Sequence, residues 1–344
     1  MNSLERVRNT LAGRPADHLA CQPMLMMFAA RHCGVKYIDY CRDGRILAEA
    51  QWRTVEDFGV DATITCSDPA REVIDIAGDG SVDWFDDQGP VINESRAALS
   101  DKSRLRTLRV PDLPEGGRMY DRVRSIRILR QHAGADLSVV GWVEGPLALA
   151  AELRGLNNLM LDFIDDPAFV HDLLDFCAAV AIAYAPAQIE AGADTIAMSD
   201  AAASMIGPEL YRDFVQPRQK RVYESIKSRD PHVMTRSHMC GRTNELAGLM
   251  RQMAVDIYEI DFPSDLGAMR RGLDDCVISG NISTITDLLQ GTPAQVYAAA
   301  AACHRICGAR HIVNPGCEVS PLTPPDNLRA IVRYAREHRP VDQP

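Results

Sequence analysis

The sequence predicts an α/β fold of the (β/α)8 TIM-barrel class, and three observations carry that prediction. Eight short apolar or β-branched runs recur along 344 residues, amphipathic helical segments separate them, and polar side chains suited to chemistry gather just past the ends of the later runs. Parallel strands joined by crossover helices produce this alternation, and eight of them suit a closed barrel of this length. An open doubly wound sheet shares the periodicity and is the structural alternative. The whole chain, 1–344, is expected to form one barrel domain.

Taken in order, the strands are predicted at 21–26, 62–66, 137–143, 194–198, 232–237, 255–260, 276–280 and 310–313. Between 68 and 110 the chain is acidic and alternating, with runs at 73–76 and 82–85 bent at Gly78-Asp79-Gly80. This predicts a β-hairpin excursion near residues 70–95 over the barrel mouth, with Trp84 and Phe85 as its cover. The Pro- and Gly-rich 111–117 reads as a loop. Asp166 and Pro167 open a long helix that halts at Gly192 and is expected to kink at Pro186. Thr292 and Gln295 have the spacing of a capping box for the helix ending at Gly308, and Thr323-Pro324 with Asp326 starts the last helix.

Composition narrows the function. The 37 basic residues against 47 acidic ones give a net charge of −10, which disfavours nucleic acid and anionic membranes as partners. The first fourteen residues lack the apolar core of a signal peptide, and no run is expected to supply the roughly 18 apolar residues of a membrane span. A cytoplasmic protein is expected, its ten cysteines reduced and serving as packing or thiolate ligands. No Cys-x-x-Cys occurs. Cys303 and Cys307 are expected to face the core, and His32 with Cys33 to be structural.

Barrel enzymes carry their chemistry on the loops that follow the strands. His238 and Cys240 end the fifth strand, and Cys317, in Asn314-Pro-Gly-Cys, follows the eighth. Zinc takes imidazole nitrogen and thiolate tetrahedrally, and a catalytic zinc keeps one of its four positions open. Asp261 or Glu259 is a candidate fourth, displaceable ligand. Glu144 and Asp200, past the third and fourth strands, are candidate catalytic acids; the alternatives are a turn residue and a helix cap. Asn281 is a candidate ligand-orienting residue, and Met24, Met26 and Met27 are candidate pocket or core residues.

These residues resemble the uroporphyrinogen decarboxylase superfamily, and within it the zinc-dependent, cobamide-linked methyltransferase branch. The resemblance rests on Asp200-Ala-Ala-Ala-Ser204, 206–217, His238-Met-Cys-Gly241, Gly280-Asn-Ile-Ser283, 288–293, Asn314-Pro-Gly-Cys317 and 323–330, strong over 195–340 and looser before. It implies a uroporphyrinogen decarboxylase-like barrel binding Zn2+ through His238, Cys240 and Cys317, and acting with a corrinoid (methylcobamide or cob(I)amide) carried by a partner protein. The decarboxylases carry an Arg- and Gly-rich stretch after the first strand, where this chain has the apolar Met24-Leu-Met-Met-Phe28.

Two directions of methyl transfer follow from the resemblance. In one, a methyl donor such as a methoxylated aromatic passes its methyl to the corrinoid, with Asp200 or Glu144 protonating or positioning the leaving group. In the other, a thiol of the coenzyme M type takes the methyl from methylcobamide, and Arg236 or Arg242 anchors a sulfonate. Met24, Met27, Asn281 and Arg236 are the expected substrate-binding residues, and relatives suggest a homodimer. A decarboxylase acting on another acid and a zinc-free binding relative are the rival readings.

Overall fold

Eight short parallel strands wrap around a common axis, and the backbone of residues 1–340 is described in this computed structural model. They are β1 (Ala20–Cys21), β2 (Ala62–Ile64), β5 (Ser138–Glu144), β6 (Thr195–Ser199), β7 (Met234–Met239), β8 (Ile257–Ile260), β9 (Val277–Gly280) and β10 (His311–Val313), with the short pair β3 (Val82–Asp83) and β4 (Val91–Ile92) outside them. The hydrogen-bonded order is β1-β10-β9-β8-β7-β6-β5-β2, every neighbour parallel. Asp61 bridges the remaining seam. Its N–H donates to the Cys21 carbonyl at 2.7 Å, and its Oδ2 accepts from the Cys21 N–H at 2.7 Å.

Residues paired across parallel neighbours point to the same face of the sheet. The interior therefore forms stacked rows. Ala20, Met234, Ile257, Val277 and Ile312 fill the lower end, which Leu4 and Val7 of the helix Ser3–Leu11 seal. Arg6 of that helix ties it to the seam through Asp61, 2.5 Å away. Above, Trp142, Ala197 and Arg236 share one row across β5, β6 and β7, and Glu144, Ser199 and His238 share the next. Glu259 continues that upper row onto β8.

The first strand is shorter than the sequence predicts. Pro23 has no N–H for a ladder, so pairing stops, and the chain turns into the helix Met26–His32. The excursion also differs: 73–76 is helical, inside Ala70–Ala77, and only Val82–Asp83 and Val91–Ile92 pair as an antiparallel hairpin. Val73, Ile76 and Ala77 with Ala70 satisfy the helical spacing as well as the alternating one, so period alone did not decide. Trp84 lies between the guanidinium groups of Arg42 and Arg118, at 4.2 and 5.2 Å, while Phe85 is exposed.

The helices after β5 follow their punctuation. Pro167–Glu190 is capped by Asp166 onto Phe169 N–H and runs on through Pro186. It is the one described helix long and apolar enough to cross a membrane, which the sequence reading did not anticipate. It packs against the barrel with Leu173, Leu174, Cys177 and Tyr184 fully buried, as a core helix does. Thr292 and Gln295 form the capping box of Pro293–Cys307, and Cys303 and Cys307 are buried.

Candidate metal centre

His238 sits at the penultimate position of β7, Cys240 just beyond that strand, and Cys317 on the loop after β10. Their ligand atoms meet at the barrel mouth. His238 Nε2 lies 3.0 Å from Cys240 Sγ, Cys240 Sγ 3.5 Å from Cys317 Sγ, and Cys317 Sγ 3.7 Å from His238 Nε2. Zinc–sulfur bonds of about 2.3 Å and a zinc–nitrogen bond of about 2.0 Å set at tetrahedral angles separate ligand atoms by about 3.5–3.8 Å. Two of the three separations fit within about 0.3 Å of those edges, and the third needs a small opening. The triad is the one such group of three among the described residues.

A cation site needs its imidazole held with the correct nitrogen forward. Glu259 faces the other nitrogen: its Oε2 lies 3.4 Å from His238 Nδ1. That carboxylate is held in turn by Arg236 Nε at 2.9 Å and by Asn314 Nδ2 at 2.7 Å. Burial alone would raise the Glu259 pKa, but Arg236 and His238 outweigh it and hold it down at about 2. An ionised carboxylate 3.4 Å behind the ring, close to Nδ1 without a hydrogen bond to it, favours the tautomer with Nε2 free for a metal. The hydrogen bond to Cys240 pulls the Cys317 thiol down to about 4, and the same bond with burial pushes Cys240 up.

Gly316 delivers Cys317 to this place. A Cβ there would stand 2.4 Å from the backbone nitrogen of Phe262 and 2.9 Å from Asp261 Cα. Neither atom yields without moving the loop after β8, so Gly316→Ala is expected to cost about 1–3 kcal/mol. It should also weaken metal retention more than a cavity mutation of equal cost, read by comparing thermal melts with zinc content.

The remaining predicted residues are distributed as follows. Asp261 accepts from the N–H groups of Gly241 and Phe262, at 2.7 and 2.8 Å, beside the triad but outside it. Asn281 spends its amide on the carbonyls of Ser264 and Asp261. Met24 joins Ile64, Cys66 and Trp142 in an apolar wall inside the mouth, and the Trp142 ring lies 5.9 Å from the His238 ring. Met27 donates its N–H to Glu318 and lines an outer cavity of about 630 Å3 with Arg31 and Leu322. Arg236 is fully buried and neutralised by Glu259. Arg242 is exposed on the loop after β7, beside Ser204 and Glu245.

Asp200 caps a helix, though not the one that follows it. Its oxygens accept from Ala148 N–H at 2.7 Å and Leu147 N–H at 3.4 Å, in the first turn of Pro146–Arg154, and from Gln219 Nε2 at 2.8 Å. Glu144 projects from the upper row of the barrel onto Arg71 Nη2, 3.1 Å away. Burial pushes its pKa up to about 8, Arg71 resists, and Glu72 and Asp200 add to the rise. Arg71, Glu72 and Trp142 were not singled out from the sequence. Trp142 alone had a usable signal, its even spacing from Glu144.

The sign of the resulting pH dependence follows from linkage. Between its ordinary 4.5 and about 8, Glu144 keeps a proton in the folded chain that the unfolded chain has lost. Its contribution to stability is therefore largest below that window and falls as pH rises through it, by up to roughly 1.4 kcal/mol per pH unit. Glu144→Gln removes that slope. Thermal melts across the window should show the variant gaining on the wild type as pH rises.

The family model described as Uroporphyrinogen decarboxylase (URO-D) matches residues 2–338. The methylcobamide:CoM methyltransferase MtbA of Methanosarcina mazei is 33% identical over 258 residues, 73% of this chain and 72% of that protein. Across four such methyltransferases the match spans 65% to 72% of their own length. A uroporphyrinogen decarboxylase of Streptomyces griseus is 29% identical over 312 residues, 88% of this chain and 82% of that one. Among solved structures, a methyltransferase from Methanosarcina mazei shares the fold with a TM-score of 0.88 at 23% identity, over 98% of this chain and 99% of that one.

Proposed function

The chain belongs to the uroporphyrinogen decarboxylase family, and from that membership we propose that it is a zinc-dependent methyltransferase working between a small methyl-carrying substrate and the cobalt of a corrinoid protein. The observation that carries the proposal is the triad, one imidazole and two sulfurs 3.0 to 3.7 Å apart at the barrel mouth. The names of the most similar curated relatives, methylcobamide:CoM methyltransferases, support the reaction class.

His238, Cys240 and Cys317 would hold Zn2+, and Asp261, now bonded to the N–H groups of Gly241 and Phe262, would have to leave them to serve as a displaceable fourth ligand. When bound, the ion supplies Lewis-acid chemistry at its open position, drawing electron density from the heteroatom of the substrate. Glu259, fixed by Arg236 and Asn314, keeps the His238 ring from turning. Met24, Cys66 and Trp142 exclude water from the apolar part of the substrate. Glu144, carrying a proton at neutral pH, would face the part of the substrate remote from the metal. Asp200, with its oxygens engaged by Leu147, Ala148 and Gln219, positions the loop after β5. Arg236 and Asn281 support the site instead of touching the substrate, and Met27 lines the approach.

A methoxylated aromatic or similar apolar donor suits the wall formed by Met24 and Trp142. Transfer in the other direction, from methylcobamide to a thiol, is favoured by the relatives' names. Both are tested by one panel. The zinc-loaded protein is incubated with cob(I)alamin and methoxyaromatics, methylamines or methanol, and with methylcobalamin and thiols, following the cobalamin absorbance. Methyl transfer with at least one partner is expected; none with any of them, from protein that retains zinc, overturns the proposal in both directions.

A further inference from the structure

Across the mouth from the triad lies a group of buried side chains that the fold does not satisfy. Glu144 shares its row with His238 two strands away, about 10 Å at the usual strand spacing. Trp142, one row below, packs its ring toward that of His238. Behind Glu144, Arg71 Nη2 meets Glu144 Oε1 at 3.1 Å and Glu72 Oε1 at 3.2 Å, while Arg71 Nη1 donates to the Asp68 carbonyl. Arg71, Glu72 and Trp142 are 0%, 1% and 2% exposed. Yet Arg71 Nε, Glu72 Oε2 and Trp142 Nε1 have no hydrogen-bond partner among the described residues. Native interiors leave few buried polar atoms unpaired, and a bound water, ion or ligand is one reason for the exceptions.

The charges decide which ligand. One guanidinium faces both Glu72 and Glu144, and Glu152, on the helix after β5, adds a third carboxyl that opposes them electrostatically. The Asp68 carboxylate is taken by Arg118 at 2.7 Å, and the Asp200 oxygens by Leu147, Ala148 and Gln219. Acid is thus in excess. We infer that Arg71, Glu72, Glu144 and Trp142 form the half of the substrate site that binds the end remote from the methyl group, and that it takes a hydroxyl or an ammonium and rejects a sulfonate or carboxylate. A hydroxyl donates to Glu72 Oε2, and an ammonium takes the place of the proton that Glu144 keeps at neutral pH. An anion could be held only with these carboxyls kept protonated around it, a cost that a hydroxyl or an ammonium avoids. The inference rests on the methyl-transfer reading and narrows it, because a coenzyme M-type thiol carries the group this subsite refuses.

The test uses the full chain with Co2+ in place of zinc, titrated with three thiols of equal length: 2-aminoethanethiol, 2-mercaptoethanol and 2-mercaptoethanesulfonate. Binding is read from the sulfur-to-cobalt absorption. The first two should bind at least about tenfold more tightly than the third. Glu72→Gln with Glu144→Gln should narrow that gap, and Glu144→Gln alone serves if the double variant does not fold. A sulfonate that binds as tightly as the others overturns the inference and leaves the metal reading intact. If no thiol alters the cobalt spectrum, the metal reading fails instead. The subsite is then judged by calorimetric titration of the metal-free chain with benzylamine, benzyl alcohol and benzenesulfonate. The same order sustains it, and the reverse order, or binding of none, overturns it.

Discussion

Cys317→Ser is expected to lower bound zinc from about one ion per chain to less than about a tenth, and methyl transfer by about a thousandfold or more. The alcohol oxygen of serine stays protonated where a cysteine sulfur ionises, so the site keeps one thiolate and one imidazole, too few to hold the ion. Cys317 is half-buried on a loop and lies outside the hydrophobic cores. The metal-free variant should therefore melt within a few degrees of the metal-free wild type, which separates a ligand from a packing residue. Zinc content by elemental analysis and the two melts make the comparison. Full zinc retention, or loss of zinc together with loss of the fold, would count against the assignment.

Glu259→Gln is expected to act twice. The amide no longer balances Arg236, which is fully buried with Glu259 as its carboxylate partner, so the fold should lose about 3–5 kcal/mol. Behind the triad, a neutral amide holds the His238 ring less firmly, and zinc affinity should fall by about 10- to 100-fold. The two effects separate in a double variant. Replacing Arg236 by Met as well removes the unpaired charge, so denaturant melts should recover much of the lost stability while zinc affinity stays low. Recovery of both together would mean that Glu259 serves only the fold.

The parts of the barrel that were readable share a physical cause. From β5 onward every strand but the polar β7 is a short, mostly apolar run followed by glycine, proline or a polar residue, and Asp166, Thr292 and their prolines mark the helix starts chemically. His238, Cys240 and Cys317 were visible because parallel strands bring their carboxyl ends together whatever the sequence distance, and few side chains offer soft ligands. Ranking the acids was beyond the sequence. Glu259 and Asp261 are two apart and lean to the same side, yet Glu259 is claimed by an arginine on the neighbouring strand and Asp261 by two backbone N–H groups. Arg236 read as a free cation for the same reason, since its partner lies 23 residues on. Asp200 had the pattern of a cap for the turn after it, and the register of β5 and β6 gave it the neighbouring helix. Arg71 and Glu72 sit in a helix that alternation disguised as a strand, so nothing local brought them to the mouth.

The most direct check on the centre is zinc-edge X-ray absorption of the zinc-loaded wild-type protein. Two sulfurs at about 2.3 Å, one imidazole nitrogen near 2.0 Å and one lighter, exchangeable oxygen are predicted. A shell without sulfur, or a protein that loses its zinc on simple dialysis, would contradict it.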